Sequence, residues 1–206
     1  MRRVFVGDIQ GCLEQLDALL EEIGFQRGVD VLHPVGDMVN KGPDSLGVLA
    51  RLRELKAFPV LGNHDLAFLE RGRVTEPRLA EWLRAQPIVR VLDDVIMVHA
   101  GLHPRWGERE LRRLSRADID FAVNVRYCDA KGNRPASDWP PPGPPFRPWH
   151  EFYHGSKRVV FGHWARQGLL VRPHALGLDT GCVYGGELTA WIAEEDRLVA
   201  VPGWQR

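Results

Sequence analysis

Cysteine is scarce in this chain: its 206 residues hold three, Cys12, Cys128 and Cys182. An odd count, wide spacing and the lack of any CxxC exclude a disulfide framework and a zinc knuckle, and leave small buried thiols in a reducing compartment. No apolar run approaches the roughly 18 residues of a membrane span, and MRRVFVGD enters a strand at once without the apolar core of a signal peptide. The sequence therefore predicts a cytoplasmic protein with no membrane partner. Neither sign of charge is in excess, since 27 Lys and Arg balance 27 Asp and Glu, and a nucleic-acid partner would call for a basic surplus. The stretch after the first apolar run reads GDIQGC, not GxGxxG, so a dinucleotide-cofactor oxidoreductase is also excluded. No internal repeat is present.

What is there is enough for a core. The composition is 44% apolar, and a chain of this length buries roughly 70% of its unfolded surface without staples. One domain over residues 1–206 is expected, with 129–149 as an irregular Pro-rich excursion that is a candidate lid. Val4 to Val6 read as a strand. Leu13, Leu16, Leu19, Leu20 and Ile23 follow at helical spacing, with Gly24 as the stop. DVLHPVGD (30–37) is a second strand, Pro43, Asp44 and Ser45 open a second helix, and FPVLGNHD (58–65) is a third strand. This alternation predicts an α/β protein with a largely parallel sheet. A helix over 76–87, two strands around Asp93 and Asp94, a charged helix over 108–116 and a closing set of strands complete the expectation.

The strand ends carry the chemistry. They read VFV-GD, HPV-GD, PVL-GNHD, IMV-HAG and VVF-GHW. Singly each is ordinary: Gly-Asp is a turn, a lone His is more often structural than a ligand, and GNHD is compatible with an Asx-turn or a helix N-cap. Together they place Asp8, Asp37, Asn63, His64, His99 and His163 on the rim beyond the carboxyl ends of the strands, where open α/β sheets bind ligands. Oxygen and imidazole donors without thiolate suit a pair of divalent ions such as Mn²⁺, with Fe²⁺, Zn²⁺ and Mg²⁺ also compatible.

GDIQG (7–11), GDMVNKG (36–42), GNHD (62–65), HAG (99–101) and GHW (162–164) resemble the motif series of the phosphoprotein phosphatase family of binuclear metallophosphoesterases. GDIQGC, GHW and LDTGCVYGGELTA (178–190) look most like bacterial symmetrical diadenosine tetraphosphatases. The resemblance runs from Arg3 to about Leu198 and is weakest between Arg105 and Pro148. It implies a calcineurin-like metallophosphoesterase fold, with layered sheets flanked by helices and the active site at the strands' carboxyl ends. It further implies that Asp8 and Gln10 hold a first metal, that Asp37 bridges two ions, and that Asn63, His99 and His163 hold the second. Two such ions activate a water and neutralise phosphate oxygens for in-line attack. His64 would be the general acid, and Lys41 and Arg126 would clamp phosphate oxygens.

The chain departs from the family pattern at several points. Gln10 stands where most members have a His ligand, so it offers a neutral amide oxygen or a contact to a metal water, and the first ion should be the more easily stripped. Asn40-Lys41 replaces Asp-Arg, which removes the carboxylate that orients the catalytic His. Tyr184 stands where the tetraphosphatase branch commonly carries Trp, and the middle region is shorter than in that branch. The expected activity is symmetric hydrolysis of diadenosine tetraphosphate to two ADP, with Trp164, Tyr184, Trp139, Trp149 and Tyr127 as candidate stacking surfaces for adenine. The alternative is a serine/threonine or tyrosine protein phosphatase. A retired scaffold that only binds is disfavoured, because both Asp37 and His64 are present.

Overall fold

The computed structural model describes residues 1–205. Two mixed sheets pack face to face, with helices on their outer faces. The first sheet runs β11 (Arg197–Pro202), β10 (Glu187–Ile192), β1 (Arg3–Val6), β2 (Val31–Pro34). The second runs β3 (Val89–Val91), β4 (Val95–Val98), β7 (Arg158–Phe161), β9 (Ala175–Gly177), β8 (Leu170–Val171). Successive side chains of a strand point to opposite faces, and the core divides accordingly. Phe5, Trp191, Val95, Met97, Val160 and Leu176 meet between the sheets. Val4, Val6, Ala190 and Ile192 face outward under one set of helices, and Ile96, Val98, Val159 and Phe161 under the other.

Helix α1 (Leu13–Ile23) covers the first sheet with Leu16, Leu19, Leu20 and Ile23, and Gly24 ends it in the left-handed conformation at φ 63°. At roughly 1.5–3 kcal/mol for each large apolar side chain removed from water, that stripe accounts for most of the helix's stability. Helix α2 (Ser45–Glu54) starts where expected, because the Asp44 side chain accepts from Gly47 N at 2.7 Å. Helices α3 (Asn63–Glu70) and α4 (Pro77–Arg84) follow on the same face.

The sheets are not largely parallel. Among the named strands, parallel pairing joins β1 to β2 and β4 to β7 to β9, and antiparallel strands flank both sets. The third expected strand is also absent. Residues 58–62 run beside β2, with Phe58 N donating to Leu32 O and Val60 N to Pro34 O, but the return bond of a parallel ladder would need the N–H that Pro34 lacks. The Phe58 carbonyl meets His33 Nδ1 instead, at 3.3 Å, and residues 63–65 belong to helix α3.

The charged helix expected over 108–116 is shorter, α5 (Glu108–Leu111), and a further helix, α6 (Arg116–Asn124), follows it. Ser115 and Asp118 form the capping box of α6, a Ser-x-x-Asp signal that the sequence displays. The Pro-rich excursion is irregular as expected, but its ends are stitched by a two-residue ladder between β5 (Tyr127–Cys128) and β6 (Arg147–Pro148). Among the described residues no helix is long and apolar enough to cross a membrane.

Candidate metal centre

The two sheets bring their strand ends to one place. Asp8 follows β1, Asp37 follows β2, His99 follows β4 and His163 follows β7, while Asn63 and His64 open α3. The small residues before these side chains are there for room. A Cβ on Gly62 would collide with the Asp37 carboxylate, and one on Gly162 with that of Asp8. Asp37 Oδ1 accepts from His64 N at 2.9 Å, so the bridging candidate also closes an open N–H at the start of α3.

Ligand atoms of Asp37, His99 and His163 lie within 4.8 Å of one another. Asn63 Oδ1 sits between the two imidazoles, 3.1 Å from His99 Nε2 and 3.0 Å from His163 Nδ1. The tautomer of His99 decides what this cluster wants. Its Nδ1 lies 3.0 Å from the Val35 carbonyl, and a carbonyl can only accept, so Nδ1 carries a proton. Neutral His99 then turns a lone pair on Nε2 toward Asn63 Oδ1 and, at 3.3 Å, toward Asp37 Oδ1. Three acceptors facing one another call for a cation between them. Burial opposes a charge on His99, yet the Asp37 carboxylate raises its pKa, which is the proton answering the demand that a metal would meet. Burial likewise opposes the charge on Asp37, but His99, then His64 and His163, hold its carboxyl well below the usual range.

Asp8 and Gln10 lie beside this triad. Asp8 is buried, and burial, then the charges of Asp179 and Asp37, push its carboxyl up. Among the described residues it accepts from His163 N alone, at 3.1 and 3.2 Å, so a carboxylate among carboxylates again fits a cation. Gln10 turns its amide nitrogen toward Asp37 Oδ2 at 3.4 Å.

Asp179 was not among the residues singled out. It follows β9 as the other ligands follow their strands, lines the cavity with Gln10 and Asp37, and is pushed up to about 6 by burial. LDTG was on view in the sequence; an intervening Leu178 hid the strand-end pattern.

Five of the seven non-glycine residues with positive φ are Gln10, Asp37, Asn40, Lys41 and His163. Such conformations cost of order 1–3 kcal/mol each and gather where function over-determines the backbone.

His64 is oriented by Asn40. The Asn40 oxygen accepts from Lys41 N at 3.1 Å and from the Arg73 guanidinium at 3.4 Å, so its amide nitrogen faces His64 Nδ1 at 2.9 Å. Nδ1 accepts, and the His64 proton is on Nε2, 3.9 Å from Asp37 Oδ2. Burial lowers the His64 pKa, against Asp37 and with Lys41.

Asp65 points away from His64. It accepts from Met38 N at 2.9 Å, Val39 N at 3.3 Å and Gly62 N at 2.9 Å, tying the loop after β2 to the start of α3. Burial pushes its carboxyl up to about 7, and Asp37 adds to that. Asp65→Ala would orphan three donors at about 1–3 kcal/mol each, so a loss of at least about 3 kcal/mol is expected in denaturant unfolding. A loss below about 1 kcal/mol would remove this role.

The two expected phosphate clamps have partners of their own. Arg126 pairs with Asp138 at 3.1 Å and lies 3.4 Å from the His163 carbonyl. The Lys41 ammonium meets the Tyr184 hydroxyl. Both still line a cavity of about 940 Å³ around the centre, near the upper end of small-molecule sites. Asp138, Trp139, Pro141 and Pro148 of the Pro-rich excursion and its end form part of its wall. Trp149 does not line it: it is fully buried against Phe161, with ring centroids 5.1 Å apart, and is no stacking surface.

The sequence profile of the calcineurin-like phosphoesterase family matches residues 1–167. A symmetrical bis(5'-nucleosyl)-tetraphosphatase of Shewanella sp. (strain ANA-3) is 32% identical over 266 aligned positions, covering 97% of each chain. The enzyme of the same name from Pseudomonas fluorescens (strain Pf0-1) is 32% identical and covers 89% of this chain and 85% of its own. The aligned positions outnumber the 206 residues here, so these relatives carry segments that this chain lacks. A solved structure described as a candidate diadenosine tetraphosphatase superposes with a TM-score of 0.88 at 36% identity, covering 100% of this chain and 95% of its own. A cold-active protein-tyrosine phosphatase of a psychrophilic Shewanella superposes at 0.63 with 15% identity, covering 97% of this chain and 77% of its own, and shares the fold.

Proposed function

The chain belongs to the calcineurin-like phosphoesterase family, and from that premise we propose that it hydrolyses diadenosine tetraphosphate symmetrically to two ADP. The observation that carries the chemistry is the set of mutually facing acceptors on Asp37, Asn63 and His99, with His163 Nδ1 beside them. The names of the relatives supply the substrate.

The family implies divalent metal ions, and bound at this centre they would activate a water and neutralise phosphate oxygens. Asp37 with Asn63, His99 and His163 would hold one ion; Asp8 with Gln10 and Asp37 would hold the other. Mn²⁺ is the proposed metal, because carboxylate, amide and imidazole donors are present and thiolate is not. His64 Nε2–H donates to the leaving oxygen. Lys41 and Arg126 neutralise phosphate oxygens on either side, with Arg126 exchanging Asp138 for substrate. A protein phosphatase would need an open cleft for a phosphorylated loop, and the wall formed by Asp138, Trp139 and Pro141 argues for a small molecule instead. The proposed location is the cytoplasm.

Product analysis tests the reading. With Mn²⁺ and diadenosine tetraphosphate, ADP is expected as the sole early product on ion exchange. AMP with ATP would contradict symmetric cleavage, and an untouched dinucleotide beside a hydrolysed aryl phosphate would transfer the proposal to a phosphoprotein.

A further inference from the structure

A dinucleoside polyphosphate has a nucleobase at each end, and the cavity has four aromatic side chains in its lining: Tyr127, Trp139, Trp164 and Tyr184. Two of them are engaged with each other. Tyr127 and Trp164 meet edge to face, with centroids 4.9 Å apart at 71°, and both are half-buried. The other two are open. Trp139 is 63% exposed and Tyr184 is 62% exposed, an unusual state for large aromatic rings unless a partner takes the face.

One open ring is backed by a cation and the other is tethered by one. The Arg166 guanidinium lies 4.5 Å from the Trp139 ring centroid, while Lys41 Nζ meets Tyr184 at its hydroxyl, at the edge of the ring and not over its face. Trp139 is fixed further by Ser137, whose hydroxyl accepts from Trp139 N at 3.2 Å and donates to Trp139 O at 2.8 Å. The two rings are linked to the centre through different neighbours. Lys41 adjoins Asn40, the residue that touches His64. Asp138, next to Trp139, pairs with Arg126, which reaches the His163 carbonyl.

We propose that Trp139, backed by Arg166, and Tyr184, tethered at its hydroxyl by Lys41, are the two base platforms of the site, with the phosphate chain crossing the Asp37–His99–His163 cluster between them. The inference rests on the dinucleotide reading above and adds to it the residues that select two bases. A platform on each side of the centre also places the middle of the chain, and not one end, over the cluster. That placement yields two equal products. Stacking on an aromatic face is worth enough to matter and needs no hydrogen bonds to a particular base.

Steady-state kinetics on diadenosine tetraphosphate at saturating Mn²⁺ test this, with wild type, Trp139→Ala, Trp139→Phe and Tyr184→Ala. Each alanine variant is expected to raise KM roughly tenfold, as loss of one stacked base predicts, with kcat within about threefold. Trp139→Phe, which keeps a ring, should restore KM to within about threefold of wild type. Both rings are exposed, so truncation should leave the fold intact, which circular dichroism checks, and the Tyr184 arm stands by itself if the Trp139 variant misfolds. An unchanged KM in either folded alanine variant overturns the proposal. The wild-type arm is read first: if it leaves the dinucleotide uncut, the substrate reading falls and this inference with it, an outcome distinct from active wild type with indifferent variants.

Discussion

His64→Asn is expected to lower kcat on the dinucleotide at least a hundredfold, since a positioned acid contributes about 10²–10⁴. The substitution is a clean one. Asp37 holds His64 through its main-chain N–H, a contact that the variant keeps, and the ring itself is only partly buried. The proposed acid would be of a particular kind. With Asn40 donating to Nδ1, and burial disfavouring the charged ring, His64 offers a neutral Nε2–H. A phosphate leaving group, whose last ionisation falls near pH 6, needs little more than that hydrogen bond. An alkoxide, about as basic as hydroxide from water of pKa ~15.7, needs a full proton. Asn40→Asp, which restores the family's carboxylate beside Nδ1, should therefore raise the rate on an alkyl phosphate relative to the dinucleotide. Near-normal turnover by His64→Asn would remove His64 from the mechanism, and an unchanged substrate ratio in Asn40→Asp would remove the tuning.

Metal is expected to stabilise the fold strongly, and the effect to depend most on Asp37, the residue shared by both proposed ion sites. A ligand that binds the native state alone contributes about 2.7 kcal/mol at 100 times its Kd. For a chain of this size that is roughly 5–11 °C in Tm. Mn²⁺ at that level should produce such a rise by thermal melting in wild type and less than about 2 °C in Asp37→Asn. The reason lies in the facing acceptors: Asp37 Oδ1 is 3.3 Å from His99 Nε2, and Asn63 Oδ1 lies between both imidazoles. A cation relieves that repulsion, and Asp37 is the charged member. Activity should fall with the stabilisation, to the level seen in chelator. Equal Tm rises in wild type and variant would place the metal elsewhere.

The strand-end pattern was legible because each ligand needs its own local context. A buried apolar strand, a glycine small enough to pass a neighbouring carboxylate, and a donor side chain must follow one another in the chain, as at Gly162 beside Asp8 and Gly62 beside Asp37. Helix α1 was legible for a similar reason, since its stripe and its glycine stop are local. Asp179 obeys the same rule with one residue inserted, and was missed on that account. The strand expected over 58–65 failed for a reason also present in the sequence: Pro34 withholds the N–H that its neighbour needs.

By itself, then, the sequence determined which donor atoms this protein carries, the strands that present them, and hence a metal-assisted phosphate chemistry. Tertiary structure alone decided how those atoms are used. Asp37 caps a helix whose residues begin 26 positions later. Asn40 reaches His64 across 24 residues, and Arg126 binds His163 across 37. None of these contacts has a periodic or local signature, because each joins loops that meet only when two sheets close on one core. The same closure holds Gln10, Asp37, Asn40, Lys41 and His163 at positive φ, a conformation that Asp, Asn and His tolerate better than most residues and that Gln and Lys have no local reason to adopt. Local preference sets the elements; packing of the two sheets against each other sets the site.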